Sequence, residues 1–567
     1  MSFELGPLRI LVGVTGHLDP EEQDLNEIET KVSEEFHRLQ SQWPSTSIVL
    51  LTGMAKGCDT IVTRVAISLG IEFVAIIPMC LEQFRSDFSP GEYAELEVLL
   101  SKAKKVIVAS NFEDDQGPID RVYCYQRVGM MLASKSQILL ALYNGVDTKK
   151  FGGTSEVIRF KLDGIPPHFW NDKTHDLLPG TGEVRVLSIR RKSFEEPRKS
   201  ISWSTYGPVF DKNGKSLNKR FSAGSFINSF NQLVLKQKYL NKNWPVKTML
   251  DTVPEISLKF KSGLSHLAYV QACADSLACF YRARIKRVIW YFFGIVFLTT
   301  SLFEIAENIP LMFLSFHIAG IIALSSIGFF WFFWKKNAWM DKEIDYRVLA
   351  EGLRVALYWR LSGINEPVAD HYPSDPRGEL DWVRRVLASE EILSESNIPP
   401  QRKFVEDDWF KGQAEWLHRK IHGDSKKIGF CQKIKLTKSL IGFLLVCITL
   451  IQVLKIYTHG FGELIESYSN NFEGWDSLGI IMALITGLRL PAVLGLTIAI
   501  FEIFGLEELV RQYERAKLVF QTGIKASESA NDSDFLKISL EVGKQALAEN
   551  VEWAKIRRDR SLPEPNL

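Results

Sequence analysis

The sequence predicts an α/β Rossmann-like domain with a parallel sheet at the amino terminus. It predicts an all-α membrane domain with four transmembrane helices behind it. Three observations carry that reading. Short apolar, β-branched runs alternate with amphipathic segments in the first third of the chain. Three of those runs end in glycine. Four long apolar stretches then occupy the second half, Val288–Ala306, Ile309–Trp334, Ser439–Tyr457 and Leu478–Phe504.

The front elements follow in order. LRILVGVTG (8–16) reads as a strand, and a polar segment of helical periodicity runs from about Pro20 to Trp43. SIVLLTG (47–53) repeats the strand-then-glycine pattern, and Asp59–Leu69 reads as a helix. IEFVAIIPM (71–79) and KKVIVAS (104–110) are two more strands. Tyr123–Ser134 is helical, QILLALYNG (137–145) is a fifth strand, and Thr154–Leu162 opens another helix. VRVLSIRR (184–191) reads as one extra strand. Continuous apolar strands separated by amphipathic helices indicate a parallel sheet covered on both faces.

Each apolar stretch of the second half reaches or approaches the roughly 20 residues that cross a bilayer core. Basic residues flank them: Arg282, Arg284, Lys286 and Arg287 precede the first, Lys335 and Lys336 follow the second. A lysine cluster from Lys426 to Lys438 precedes the third, and Arg511, Arg515 and Lys517 follow the fourth. The connections EIAENIP and HGFGELIESYSNNFEGWDS are acidic. Basic flanks stay cytoplasmic, so the expected protein is multi-pass in the inner membrane with both termini in the cytoplasm. The chain opens with polar MSFELGP, so the internal spans and no signal peptide would give membrane entry.

Composition narrows the function classes. The 567 residues leave room for three or four domains. A net charge of +1 argues against a general polyanion binder, so no nucleic-acid partner is expected. The seven cysteines form no CxxC pair and no His/Cys cluster of zinc spacing, so no metal is expected. The expected order is an α/β ligand-binding domain over 1–195, a linker over 196–253, and a first helix pair over 254–336. A cytoplasmic helical segment (337–436), a second pair (437–506) and terminal cytoplasmic helices (507–567) follow.

The candidate site is built from glycine loops at the carboxyl ends of strands, where open α/β sheets bind ligands. Gly13, Thr15, Gly16 and His17 belong to the first strand and its turn. Thr52, Gly53, Met54, Ala55, Gly57 and Asp59 belong to TGMAKGCD after the second. Gly152, Gly153, Thr154 and Glu156 belong to GGTSE after the fifth. Such loops let backbone N–H groups approach a phosphate at a helix N-terminus. Asp59 reads either as a helix cap or as a partner for a ribose hydroxyl, and Glu156 as a first-turn carboxylate that suits the helix dipole. Neither GxGxxG nor GxxxxGK[ST] occurs at these turns, so neither standard dinucleotide nor P-loop chemistry is supported. In the predicted spans, Arg489 beside Pro491 and His317 are the candidate pore or gating residues, since a charge there normally faces a bundle interior or water.

GVTGH, TGMAKGCD, DFSPGEYAEL, LLALYNG and GGTSEVIRF together resemble a SLOG domain, over roughly residues 7–195. That superfamily includes the Smf/DprA proteins and the LOG cytokinin-activating hydrolases. The resemblance implies a Rossmann-like sheet that binds nucleotides or nucleotide-derived signals. GGTSE is similar to the hydrolases' phosphate loop PGGxGTxxE but is shorter and lacks the proline, which points to sensing rather than hydrolysis, with no catalytic residue assigned. YRxxAExLR (346–354) and a terminal ExxxW are similar to the SLATT membrane modules found beside SLOG domains in bacterial conflict systems. The implied function is a ligand-gated membrane effector of antiphage defence. Its SLOG domain would sense a cyclic nucleotide or a molecule of the NAD/ADP-ribose type, with no other cofactor. The membrane half would then form a pore or disrupt the lipid bilayer as a homo-oligomer. Two alternatives are a membrane-anchored nucleotide N-glycosidase using Glu156, and an ion channel with a regulatory SLOG domain, distantly like the TRPM channels.

Overall fold

The computed structural model describes residues 5–110, 120–147, 149–166, 182–193, 200–206, 223–241, 258–308, 338–373, 380–394, 398–426 and 506–559, with parts of 318–332 and a few single positions. The chain divides into two compact units. The first comprises 1–277, 347–405 and 535–548; the second comprises 278–346, 406–534 and 549–567.

The first unit is built on seven strands: β1 (Arg9–Gly16), β2 (Ser47–Thr52), β3 (Glu72–Ile77), β4 (Lys105–Val108), β5 (Ile138–Tyr143), β6 (Glu183–Ser188) and β7 (Trp203–Tyr206). Their order across the sheet is β4-β3-β2-β1-β5-β6-β7. All neighbours are parallel except β6 and β7, which are antiparallel. The helices between them are α1 (Leu25–Gln42), α2 (Cys58–Ser68), the short α3 (Leu81–Phe84), α4 (Pro90–Ser101), α5 (Arg121–Lys135) and α6 (Thr154–Asp163). Ile10, Leu11, Val12, Val49, Leu50, Leu51, Leu139, Leu140 and Ala141 are fully buried. That burial is the reason these strands carry apolar residues at consecutive positions rather than alternate ones.

Register places the site. Val14 lies beside Thr52, and Gly16 beside Leu142. The carboxyl ends of β1, β2 and β5 therefore share one edge. The chain builds outward from β1 to β4, then returns through α5 to lay β5 on the other side of β1. This reversal is the topological switch point at which such sheets bind ligands.

The opposite, amino edge is covered by helices from further along the chain. In α7 (Ala223–Leu240), within the segment expected as a linker, Asn231 accepts the Leu8 N–H at 2.9 Å and donates to the Leu8 carbonyl at 2.8 Å. The helix Asp381–Leu393 stacks Trp382 on Phe226 of α7 and places Ile392 in the core beside Leu132 and Val157. Gln137, just before β5, accepts the Leu11 N–H at 2.5 Å and donates to Ser389 Oγ at 2.6 Å. Trp359 is fully buried and donates to the Ser539 carbonyl at 3.2 Å.

The expectation of four transmembrane helices is corrected here: no helix among the described residues is long and apolar enough to cross a membrane. The run Val288–Ala306 is the end of α8 (Leu258–Asn308), a single helix of 51 residues. An apolar run in the sequence does not reveal what a helix packs on. The proximal part of α8 buries Leu264, Leu267, Val270 and Leu277 in protein. The basic residues that suggested a membrane flank also have partners inside the second unit. Arg282 donates to Glu343 at 2.8 Å, and Arg284 lies over the Trp339 ring at 4.1 Å. The runs Ser439–Tyr457 and Leu478–Phe504, most of Ile309–Trp334, and the candidate gating residues Arg489 and His317 lie outside the described residues.

Candidate functional site at the carboxyl edge

The site grows from three turns that the register brings to one edge. The β1 turn approaches α2 very closely. A Cβ on Gly16 would lie 2.3 Å from the Cys58 Cβ, so glycine is required there. The His17 carbonyl accepts the Cys58 N–H at 3.1 Å, which pins the start of α2 to the end of β1. His17 Nε2 lies 3.0 Å from Asn144 Oδ1 and 3.2 Å from the Asn144 N–H. The ring thus bridges the ends of β1 and β5. Thr15 is buried beside it. Gly13 is not at the edge. It sits inside β1, where a Cβ would lie 3.0 Å from Ser136 Oγ, and its absent side chain serves packing under α5.

The β2 turn is the tightest of the three. Thr52 is fully buried and its hydroxyl accepts the Met54 N–H at 3.2 Å. Met54 is fully buried with φ +54, a left-handed conformation that a non-glycine residue adopts under constraint. The Ala55 carbonyl accepts the Thr60 hydroxyl at 3.0 Å. Gly57 has φ +83, and a Cβ there would lie 2.4 Å from the Leu18 carbonyl oxygen. Asp59 occupies the first turn of α2 with 5% exposure. The Ala55 and Gly16 N–H groups face its carboxylate, while Oδ1 has no hydrogen-bond partner. Burial pushes its pKa up to about 7, against the pull of those two N–H groups. A Cβ on Gly53 would meet Asp59 Oδ2 at 3.1 Å.

The third turn precedes α6. Gly152 has φ +70 and abuts Tyr125, and its N–H donates to Glu156 Oε2 at 2.6 Å. Gln126 donates to both Glu156 oxygens, at 3.1 and 3.2 Å. The Gly153 N–H donates to the Lys150 carbonyl, and Thr154 is buried at the start of α6. Glu156 therefore folds its own loop. That use of both oxygens counts against a role as a hydrolytic carboxylate.

Sequence reasoning missed several residues of this edge. Asn144 and Gln126 hold His17 and Glu156, yet an asparagine before a glycine reads as an ordinary turn. Asp87 joins Arg121 at 2.6 Å and also accepts from the Tyr125 hydroxyl. The loop after β1 is strapped to the run after β6 by Asp19–Arg191 at 2.8 Å, Asp24–Arg190 at 2.5 Å and Glu22–Lys192 at 2.5 Å. Three basic residues in a row answering three acids near the start are the signal that was available. Among the described residues, no group of three or more His, Cys, Asp or Glu is arranged to hold a metal ion.

A small cleft of about 70 Å³ lies on the opposite, amino edge, among Lys135, Lys161, Asp370 and Arg384. Its cations are engaged: Lys135 pairs with Asp370 at 2.8 Å and Lys161 donates to the Ala133 carbonyl at 2.7 Å. The unpartnered Asp59 oxygen and the switch point therefore mark the carboxyl edge as the better candidate.

No family model matches the chain, and no curated protein matches it. Among solved structures, the chain is similar to DNA processing protein A from Helicobacter pylori, described for its single-stranded DNA binding mode. The identity is 14%, over 27% of this chain and 61% of that one, with a TM-score of 0.19. The chain thus spans less than two thirds of that protein. At this level the likeness carries no argument about partners, and the expectation of no nucleic-acid partner does not rest on it.

Proposed function

We propose that the chain is a ligand-responsive effector. Its α/β unit binds a nucleotide-derived signal molecule at the carboxyl edge of the sheet, and its helical unit carries the response. One observation supports this above the others. At the β1/β5 switch point, two glycine turns and a buried Asp59 with an unpartnered oxygen meet on one edge. Buried polar atoms in native proteins are nearly always satisfied, and an exception with a raised pKa marks a functional candidate. The SLOG resemblance supplies the ligand class, a cyclic nucleotide or an NAD/ADP-ribose-type molecule.

The response belongs to the same proposal: action on a lipid bilayer by a homo-oligomer, in defence against phage. Ligand shifts the equilibrium only as far as it binds the responding state better than the resting one.

The test is a thermal-shift screen of the full chain against cyclic nucleotides, cyclic ADP-ribose isomers, NAD and nucleoside monophosphates, with the solution analysed for products. A stabilising molecule that stays intact, followed by ligand-dependent leakage of loaded vesicles, is the expected result. A molecule consumed during the assay would replace this reading with an enzyme. Leakage without any added nucleotide would replace it with a constitutive channel.

A further inference from the structure

We infer that Asp59 receives a hydroxyl of the ligand, a ribose diol being the group it fits, and that the ligand's phosphate stays out of the two glycine turns. This rests on the reading that the carboxyl edge binds a nucleotide-derived molecule, and it specifies which end of that molecule enters.

Backbone N–H groups at such turns ordinarily make an anion cradle. Here both cradles are filled by the chain itself. The Asp59 carboxylate faces the N–H groups of Ala55 and Gly16 after β2 and β1. Glu156 Oε2 takes the Gly152 N–H at 2.6 Å after β5. Carboxylates stand where phosphate oxygens would stand, and another anion brought against either meets like charge in a buried setting.

The two acids differ in one respect. Both oxygens of Glu156 are engaged by Gln126. Asp59 Oδ1 has no partner on a side chain with 5% exposure. This oxygen is the unmet demand of the site. A hydroxyl meets it in either protonation state, because it donates to a carboxylate and accepts from the acid. An ionised phosphate meets it in neither role when Asp59 is charged. The turn over Asp59, from Gly53 to Gly57, contains Met54 at φ +54. Displacement of that turn uncovers Oδ1 and releases the constrained backbone.

Calorimetry on the full chain at about pH 8 tests the assignment, with adenosine, 2′,3′-dideoxyadenosine, AMP and inorganic phosphate as probes. Adenosine is expected to bind within about tenfold of AMP, and the dideoxy analogue to lose about tenfold or more, as when a built hydrogen-bonding site meets a ligand lacking the hydroxyl. Millimolar phosphate should not compete. Asp59→Asn should weaken adenosine by about tenfold or more while its melting temperature does not fall, which separates lost recognition from lost folding. Equal binding of adenosine and its dideoxy analogue, competition by phosphate, or tighter AMP binding in D59N would each overturn the inference. AMP binding that ignores the ribose hydroxyls sinks this inference alone. Failure of every nucleoside and nucleotide, the screened dinucleotides included, sinks the nucleotide reading with it.

Discussion

Asp59 makes a prediction that needs no ligand. Its carboxyl titrates at 3.8 when exposed and at about 7 in the fold, chiefly because burial disfavours the charged form. Between those values the folded state holds a proton that the unfolded state has released, so stability falls as pH rises from about 4 to 7 and levels off above. The neighbouring Cys58 thiol is itself pushed up by burial and by Asp59, and does not ionise in that range. Asp59→Asn removes the penalty. Its gain in stability should be small near pH 4, grow to pH 7 and then plateau, amounting to a few kcal/mol at most. A gain independent of pH, in scanning calorimetry across that range, would show that Asp59 is not a strained acid. Gly57 makes the second prediction at this scale. At φ +83 with the Leu18 carbonyl 2.4 Å from a Cβ, alanine has no room and a disfavoured backbone. Gly57→Ala should cost about 2–4 kcal/mol and loosen the Cys58–His17 bond. Faster amide exchange at Cys58 is the readout, and unchanged exchange would mean that the turn relaxes freely.

At the scale of elements, the strands were the legible part. β1, β2, β3, β4 and β5 fall within the apolar runs that announce them, and β6 starts one residue before its own run, because a strand buried on both faces is apolar at most positions. Strand order was not legible, since nothing local distinguishes a sheet that grows outward from one that reverses. α4 was missed although its signal was present: Ser89, Pro90 and Glu92 form a capping box with proline in the first turn. Of the candidate site, the turns were legible through their glycines, and the tasks of individual side chains were not. Glu156 and His17 read as ligand groups because they lie beside glycines, yet the fold uses them to hold Gly152 and Asn144. The docking of the helix Asp381–Leu393 was illegible too, as it joins residues some 250 positions apart through Gln137. Gln137→Ala strands the buried Leu11 N–H and removes the donor to Ser389. It should cost about 2–4 kcal/mol, since each orphaned buried group costs about 1–3 kcal/mol. Hydrogen exchange should rise in both β1 and 381–393. A rise confined to one of them would mean that Gln137 does not couple the two.

On the scale of the whole molecule, the sequence invites a cut that the fold does not support. Composition shifts near residue 195 suggest a self-contained sensor in front of a separate helical half. The first unit instead recruits 347–405 and 535–548 from the far end of the chain. Ile392 sits among Leu132, Leu139 and Val157, and Trp382 stacks on Phe226 at 5.4 Å. Removal of these partners exposes apolar surface on the sheet and leaves Gln137 without Ser389. A chain ended at residue 253 should therefore melt well below the full-length protein or aggregate. Its losses should concentrate at the amino edge of the sheet, where 381–393 normally packs and where α7 loses its Trp382 partner. The carboxyl-edge turns keep their own bonds within the first 160 residues, so Gly57 and Gly152 should retain protection longest in exchange measurements. Equal stability of the short and full chains would show that the later helices are passengers. The ordered loss expected here would instead make them part of the α/β unit's core, so that movement of 347–405 reaches the strands that carry the candidate site.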